Sequence, residues 1–153
     1  MSESALIGID LGKHTFHLHG QDKSGREVFR KKCSRAQMMQ FFGNVPSCVV
    51  VMEACAGSHF VARQLMAMGH TAKLISPQFV KPFVKGNKND FVDAEAICEA
   101  ASRPSMRFVT PKTESQQTLS VLHRMRESLV HDRTKTANQM HGFLLEFGII
   151  VRW

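Results

Sequence analysis

The run Cys48-Val49-Val50-Val51-Met52-Glu53 constrains the fold more than any other part of this chain. Five apolar residues in succession, three of them β-branched, read as a strand buried on both faces in the middle of a parallel or mixed sheet. A carboxylate that ends such a strand is costly unless something nearby compensates it. The flanking segments supply the rest of an α/β layer. Ala5 to Asp10 is a short apolar strand that also ends in an acid, and Thr15 to His19 alternates Phe16 and Leu18 with histidines. That alternation is expected to turn His17 and His19 to solvent or a partner. Asp22-Lys23-Ser24-Gly25 then turns into a basic third strand, Glu27 to Cys33.

Ser34 with Gln37 forms a capping box, opening a helix with Met38, Met39, Phe41 and Phe42 inward. Gly57 and Ser58 open a second helix carrying Val61, Leu65 and Met68 on one side. Gly69 stops it, and His70 to Ser76 returns as a strand, which makes a βαβ crossover. Pro77 to Lys88 reads as a loop or broken helix, and Asp90 to Ser102 as a short helix ended by Arg103-Pro104. From Thr110-Pro111 to about Phe147 the pattern is helical almost without interruption, long enough for a coiled coil or protruding arm. The expected architecture is a mixed five-stranded sheet flanked by helices over 1–108 and a helical extension over 109–149, with 150–153 ending a fragment.

The 153 residues hold one such α/β domain and an appendage. Lysine and arginine outnumber the acids 20 to 13, a formal charge of +7 that favours a polyanionic partner. Cys33, Cys48, Cys55 and Cys98 show neither CxxC pairing nor the density of a disulfide scaffold. No stretch reaches the roughly 18 apolar residues of a membrane span, so a cytoplasmic protein without a membrane partner is expected.

Asp10 and Glu53 each close a strand, while Asp90 and Asp93 share one face of a helix first turn. All four can converge on one sheet edge. Carboxylates gathered this way raise one another's pKa unless a divalent cation neutralises them, and oxygen donors suit magnesium or manganese better than zinc. Two such ions could activate an attacking oxygen and stabilise a leaving one at a phosphodiester. Each acid also has a structural explanation in a turn or at a helix dipole. Lys73, Lys81, Lys85 and Lys88 lead into the cluster with no acid between Glu53 and Asp90, which makes Lys81, Lys85 and Lys88 candidate phosphate contacts. Arg124, Arg126 and Arg133 are candidates on the long helix. There Leu119, Leu122, Leu129, Met140, Phe143 and Phe147 mark an apolar seam that a partner helix could cover.

Three segments carry a family resemblance: Ile7-Gly8-Ile9-Asp10-Leu11-Gly12-Lys13, Met52-Glu53-Ala54-Cys55, and Lys88-Asn89-Asp90-Phe91-Val92-Asp93-Ala94-Glu95. They resemble the DEDD insertion-sequence transposases and the related Piv-type DNA invertases. Leu74-Ile75-Ser76-Pro77-Gln78-Phe79-Val80-Lys81-Pro82 and Glu146-Phe147-Gly148 extend the similarity over nearly the whole chain. The resemblance implies a ribonuclease-H-like, RuvC-type domain with Asp10, Glu53, Asp90 and Asp93 as a metal-binding catalytic centre, followed by a coiled-coil arm. It also implies a separate carboxy-terminal domain bearing a serine nucleophile, absent here, and action as a dimer or tetramer on DNA with a structured guide RNA. Phe60-Val61 and His141 depart from the family pattern, away from the acids. Two other classes fit parts of the chain. Gly8-Ile9-Asp10-Leu11-Gly12 is similar to the phosphate loop of actin-like and Hsp70-like ATPases, and a non-catalytic nucleic-acid-binding or assembly module needs only the basic surface.

Overall fold

The computed structural model describes residues 5–86 and 90–151, and of Asp90 the backbone alone. It divides into two units, Met1–Pro111 and Lys112–Trp153.

The first unit is built on one sheet of six strands: β1 Leu6–Leu11, β2 Thr15–Gln21, β3 Glu27–Ser34, β4 Val49–Glu53, β5 Thr71–Ile75 and β6 Phe108–Val109. Their order is β3-β2-β1-β4-β5-β6. The first three strands form an antiparallel meander, β4 and β5 join it in parallel, and β6 returns antiparallel. The sixth strand extends the expected five. Its two residues pair with Leu74 and Ile75, so the sheet-bearing unit continues past residue 108.

Helices α1 Arg35–Asn44 and α2 Ser58–Ala67 supply the crossovers. Ser34 and Gln37 close the capping box at the start of α1, which satisfies two otherwise orphaned amides. Gly57, at φ +88°, takes the left-handed conformation that opens α2. One core layer holds Ile7, Ile9, Phe16, Leu18, Met38, Phe42, Val50, Met52, Val61 and Leu65, each worth about 1.5–3 kcal/mol of apolar burial for a side chain of this size. Met68 is the exception to the expected inward face of α2: it is the C-cap and is 40 % exposed. His70 joins the elements beneath this layer. Its Nε2–H donates to the Phe42 carbonyl at 2.8 Å, and its Nδ1 accepts from the Cys48 amide at 3.3 Å.

The other sheet face is covered by α4 Asp90–Ala101, which follows α3 Pro77–Val80 and a single 3-10 turn, Lys81–Phe83. Val51, Ile75, Val80, Ala96, Ile97 and Ala100 form its apolar seam. Gly8 lets the helix come close: a Cβ there would lie 2.5 Å from the Ala94 carbonyl oxygen and 2.6 Å from the Cys98 Sγ. This layer corrects the expectation for β2. His17 and His19 are buried, at 5 % and 2 % exposure, because α4 covers the face they occupy.

His19 is held in a polar pocket of that layer, with Gln21 Nε2 3.2 Å from its Nε2 and Glu27 Oε2 3.8 Å from its Nδ1. Burial lowers its pKa from 6.5, against the opposing pull of Glu27 and Glu95. The unfolded chain therefore takes up this proton at a higher pH than the folded one. The stabilisation is complete above 6.5 and is lost as pH falls from there through the lowered folded value. Urea midpoints at about pH 7.5 and about pH 5.5 should fall further for the native chain than for His19→Gln. Equal drops would exclude His19 as the source.

The second unit is α5, Glu114–Glu146, a helix of 33 residues whose N-cap Thr113 forms a capping box with Gln116. No residue of α5 is buried within the chain, and Leu119, Leu122, Leu129, Met140 and Phe143 on it are exposed, as is Phe147 at its C-cap. No helix among the described residues is long and apolar enough to cross a membrane.

Candidate functional site

Sheet register brings two of the acids side by side. β1 and β4 run parallel with Ile9 beside Met52, so the next step along both strands sets Asp10 beside Glu53. The faces agree. Ile9 and Met52 belong to the core under α1 and α2, and alternation turns Asp10 and Glu53 to the opposite face, the one α4 covers. Gly8, one pleat before Asp10, touches Ala94 and Cys98 of α4. The first turn of that helix, with Asp90 and Asp93, therefore overhangs the carboxyl ends of β1 and β4.

Electrostatics reports the same proximity. The Glu53 carboxyl is pushed above 4.5, first by burial and then by the negative charges of Asp10 and Asp93. The neighbouring Cys55 thiol is raised by burial, then by Glu53 and Asp10. Asp10, Glu53 and Asp93 are each half-buried. Among the described residues no three carboxylate, imidazole or thiol groups already stand in a metal-binding cluster. The side chain of Asp90 lies outside the described residues. The donors are carboxylate oxygens throughout, the chemistry that suits a hard divalent cation, and their mutual repulsion is what such a cation would relieve.

The cations are distributed more widely. Lys81 and Lys85 are exposed, Lys85 in an ion pair with Glu99 at 3.2 Å, and Lys88 lies outside the described residues. Arg124, Arg126 and Arg133 are exposed on α5, where Arg126 and Arg133 line a shallow groove with Leu122, Met125, Leu129 and Val130. One neighbour of the acids escaped the sequence: His17 is the cross-strand partner of Asp10 and shares its face, followed on β3 by Lys32. The alternation of β2 marked that face; nothing local marked the helix above it.

The profile of the DEDD transposases of IS110 type, described as a transposase, matches residues 7–149. The chain belongs to the DEDD transposase family. Over 149 residues it is 63 % identical to the transposase of insertion sequence element IS1328 from Yersinia enterocolitica, covering 97 % of this chain and 45 % of that protein. It is 44 % identical over 149 residues to the transposase of element IS1111A from Coxiella burnetii, covering 97 % of this chain and 41 % of the relative. The chain thus spans less than half the length of these curated relatives. Among solved structures, Thermus thermophilus RuvC aligns with a TM-score of 0.50 at 12 % identity, over 68 % of this chain and 99 % of RuvC. The sheet unit of this chain is RuvC-like, a ribonuclease-H-like fold.

Proposed function

We propose that this chain is the metal-dependent half of a transposase that cleaves and transfers DNA strands, with Asp10, Glu53, Asp90 and Asp93 as its catalytic acids. The single observation that carries this reading is the register that sets Asp10 beside Glu53 on the face α4 covers, with Asp93 near enough to oppose ionisation of Glu53. Structural acids in turns or at helix ends have no reason to converge on one another. Magnesium or manganese, in one or two ions held by these four carboxylates, would supply Lewis-acid stabilisation of charge at a phosphodiester. The protein's own part is to hold the acids on a rigid sheet edge, where a bound cation would favour their ionised forms, and to leave the edge open to a nucleic-acid strand.

Lys81, Lys85 and Lys88 are assigned as phosphate contacts, Lys85 from the far end of α4 where it pairs with Glu99, and Arg124, Arg126 and Arg133 as contacts along α5. The exposed apolar residues of α5 support assembly into a dimer or tetramer through this helix. DNA is the substrate, a structured guide RNA the second nucleic-acid partner, and the cytoplasm the place of action. A serine-bearing domain elsewhere in the complete protein supplies the nucleophile. The actin-like alternative is disfavoured by the family, and an assembly-only role leaves the crowding of acids without a purpose.

Nucleic-acid engagement is tested by fluorescence anisotropy with a labelled DNA duplex and a labelled RNA hairpin over a salt series. With about six phosphate contacts, affinity should fall roughly a thousandfold between about 50 and about 200 mM salt. Lys85→Glu should weaken binding and flatten the slope by about one contact. Binding indifferent to salt would remove the basic residues from the reading.

A further inference from the structure

The first turn of α4 carries two of the four acids, and a buried aromatic contact lies beneath it. His17 is 5 % exposed and faces α4 from β2. Its ring meets Phe91 edge to face, with centroids 4.8 Å apart and planes at 78°. Phe91 is the residue after Asp90 and two before Asp93 in that turn. His17 is also the direct register partner of Asp10 on the neighbouring strand. One side chain therefore touches the helix turn that bears Asp93 and stands beside the strand that bears Asp10.

We propose that His17 is a positioning residue: its ring braces the first turn of α4 over the sheet and so sets the spacing of Asp93 from Asp10 and Glu53. This rests on the reading of the acids as an ion-binding centre. The need for a brace is physical. A helix first turn lacks the full set of intrahelical hydrogen bonds and is the part that frays, and here the charges of Asp10, Glu53 and Asp93 push it away from the sheet. The close approach at Gly8 fixes α4 near Ala94 and Cys98, which leaves the turn before them as a lever about that point. An edge-to-face ring contact is directional, so it limits the rotation as well as the height of the turn. The brace acts through the shape of the ring, so phenylalanine at position 17 should replace it.

The test uses this chain in two measurements. Manganese affinity is read by isothermal titration for the native chain, Asp10→Asn, His17→Ala, His17→Phe and Phe91→Ala. Hydrogen exchange of the amides of residues 91–95 is read with no metal present. His17→Ala and Phe91→Ala should each weaken manganese binding about ten- to a hundredfold, as loss of support behind a ligand does, and His17→Phe should restore it. Without metal, both alanine variants should speed exchange at 91–95 while β1 keeps its protection. Phe91→Ala spares the sheet and so remains informative if His17→Ala does not fold. Native affinity in either alanine variant, or His17→Phe as weak as the alanine variants, overturns the brace. If the native chain binds no manganese, the ion-centre reading fails by itself. The exchange measurement then decides the brace alone: unchanged exchange at 91–95 in Phe91→Ala overturns it, and faster exchange upholds it.

Discussion

Asp10→Asn is expected to end transposition in a chimera whose residues 7–149 come from this chain and whose remainder comes from the Yersinia enterocolitica transposase. Losing about 4 kcal/mol of charge stabilisation at the reacting phosphate corresponds to about a thousandfold lower insertion frequency. The substitution keeps the size of the side chain and removes its charge, so a folding defect is not the expected cause. Magnesium titrated into this chain gives a second readout. At a hundred times its Kd the ion should stabilise the native fold by about 2.7 kcal/mol, roughly ten degrees in Tm for a unit of this size, and the Asp10→Asn variant should show no such rise. Insertion that persists in the variant would exclude a catalytic role for Asp10. A magnesium response that persists would exclude its role as a ligand. In the absence of metal the sign reverses. Asp10 is one of the charges that raise Glu53 above 4.5, a penalty absent below that pH and growing as pH rises through the folded value. The loss of Tm between about pH 4.5 and neutrality should therefore be smaller in the metal-free Asp10→Asn variant than in the native chain.

Gly8→Ala should cost more stability than any substitution of a surface charge. The added methyl carbon would stand 2.5 Å from the carbonyl oxygen of Ala94, a backbone atom of α4 that can yield only if the helix moves. The Cys98 Sγ at 2.6 Å cannot turn aside freely, since it also donates to the His19 carbonyl at 3.4 Å. Burial pushes that thiol up to about 12, so it stays protonated and in place. Overpacking of this kind costs about 3 kcal/mol, on the order of 11 °C in Tm for a unit of this length. Lifting α4 also lifts Asp93, so manganese affinity should fall alongside Tm. A variant as stable as the native chain would mean that α4 has room to yield above Gly8.

Much of this was readable from the chain itself. The run ending in Glu53 marked a central strand because three consecutive valines leave no polar face, and the Ser34/Gln37 pair marked a helix start because a capping box is local chemistry. The parts that were not readable depend on distant partners. Phe108–Val109 is too short to announce a strand and exists only because β5 offers a free edge. The burial of His17 and His19 hangs on α4, in which small residues such as Ala94, Ala96 and Ala100 are buried without a large apolar stripe to say which side faces inward. That Asp10 and Asp93 lie near Glu53 was legible as spacing, since two strand ends and one helix start can share an edge. Their order side by side came from the parallel register of β1 on β4, which no local pattern encodes.

That register has a consequence for synthesis. The β1-β2-β3 meander closes through neighbouring segments and can form soon after residue 34 has emerged from the ribosome. Asp10 then waits for β4, and both wait for a helix that is complete only at Ala101. Until Ala101 has been made, the growing polypeptide carries its acids apart. A nascent chain that stalls before α4 lacks the helix that carries Asp90 and Asp93.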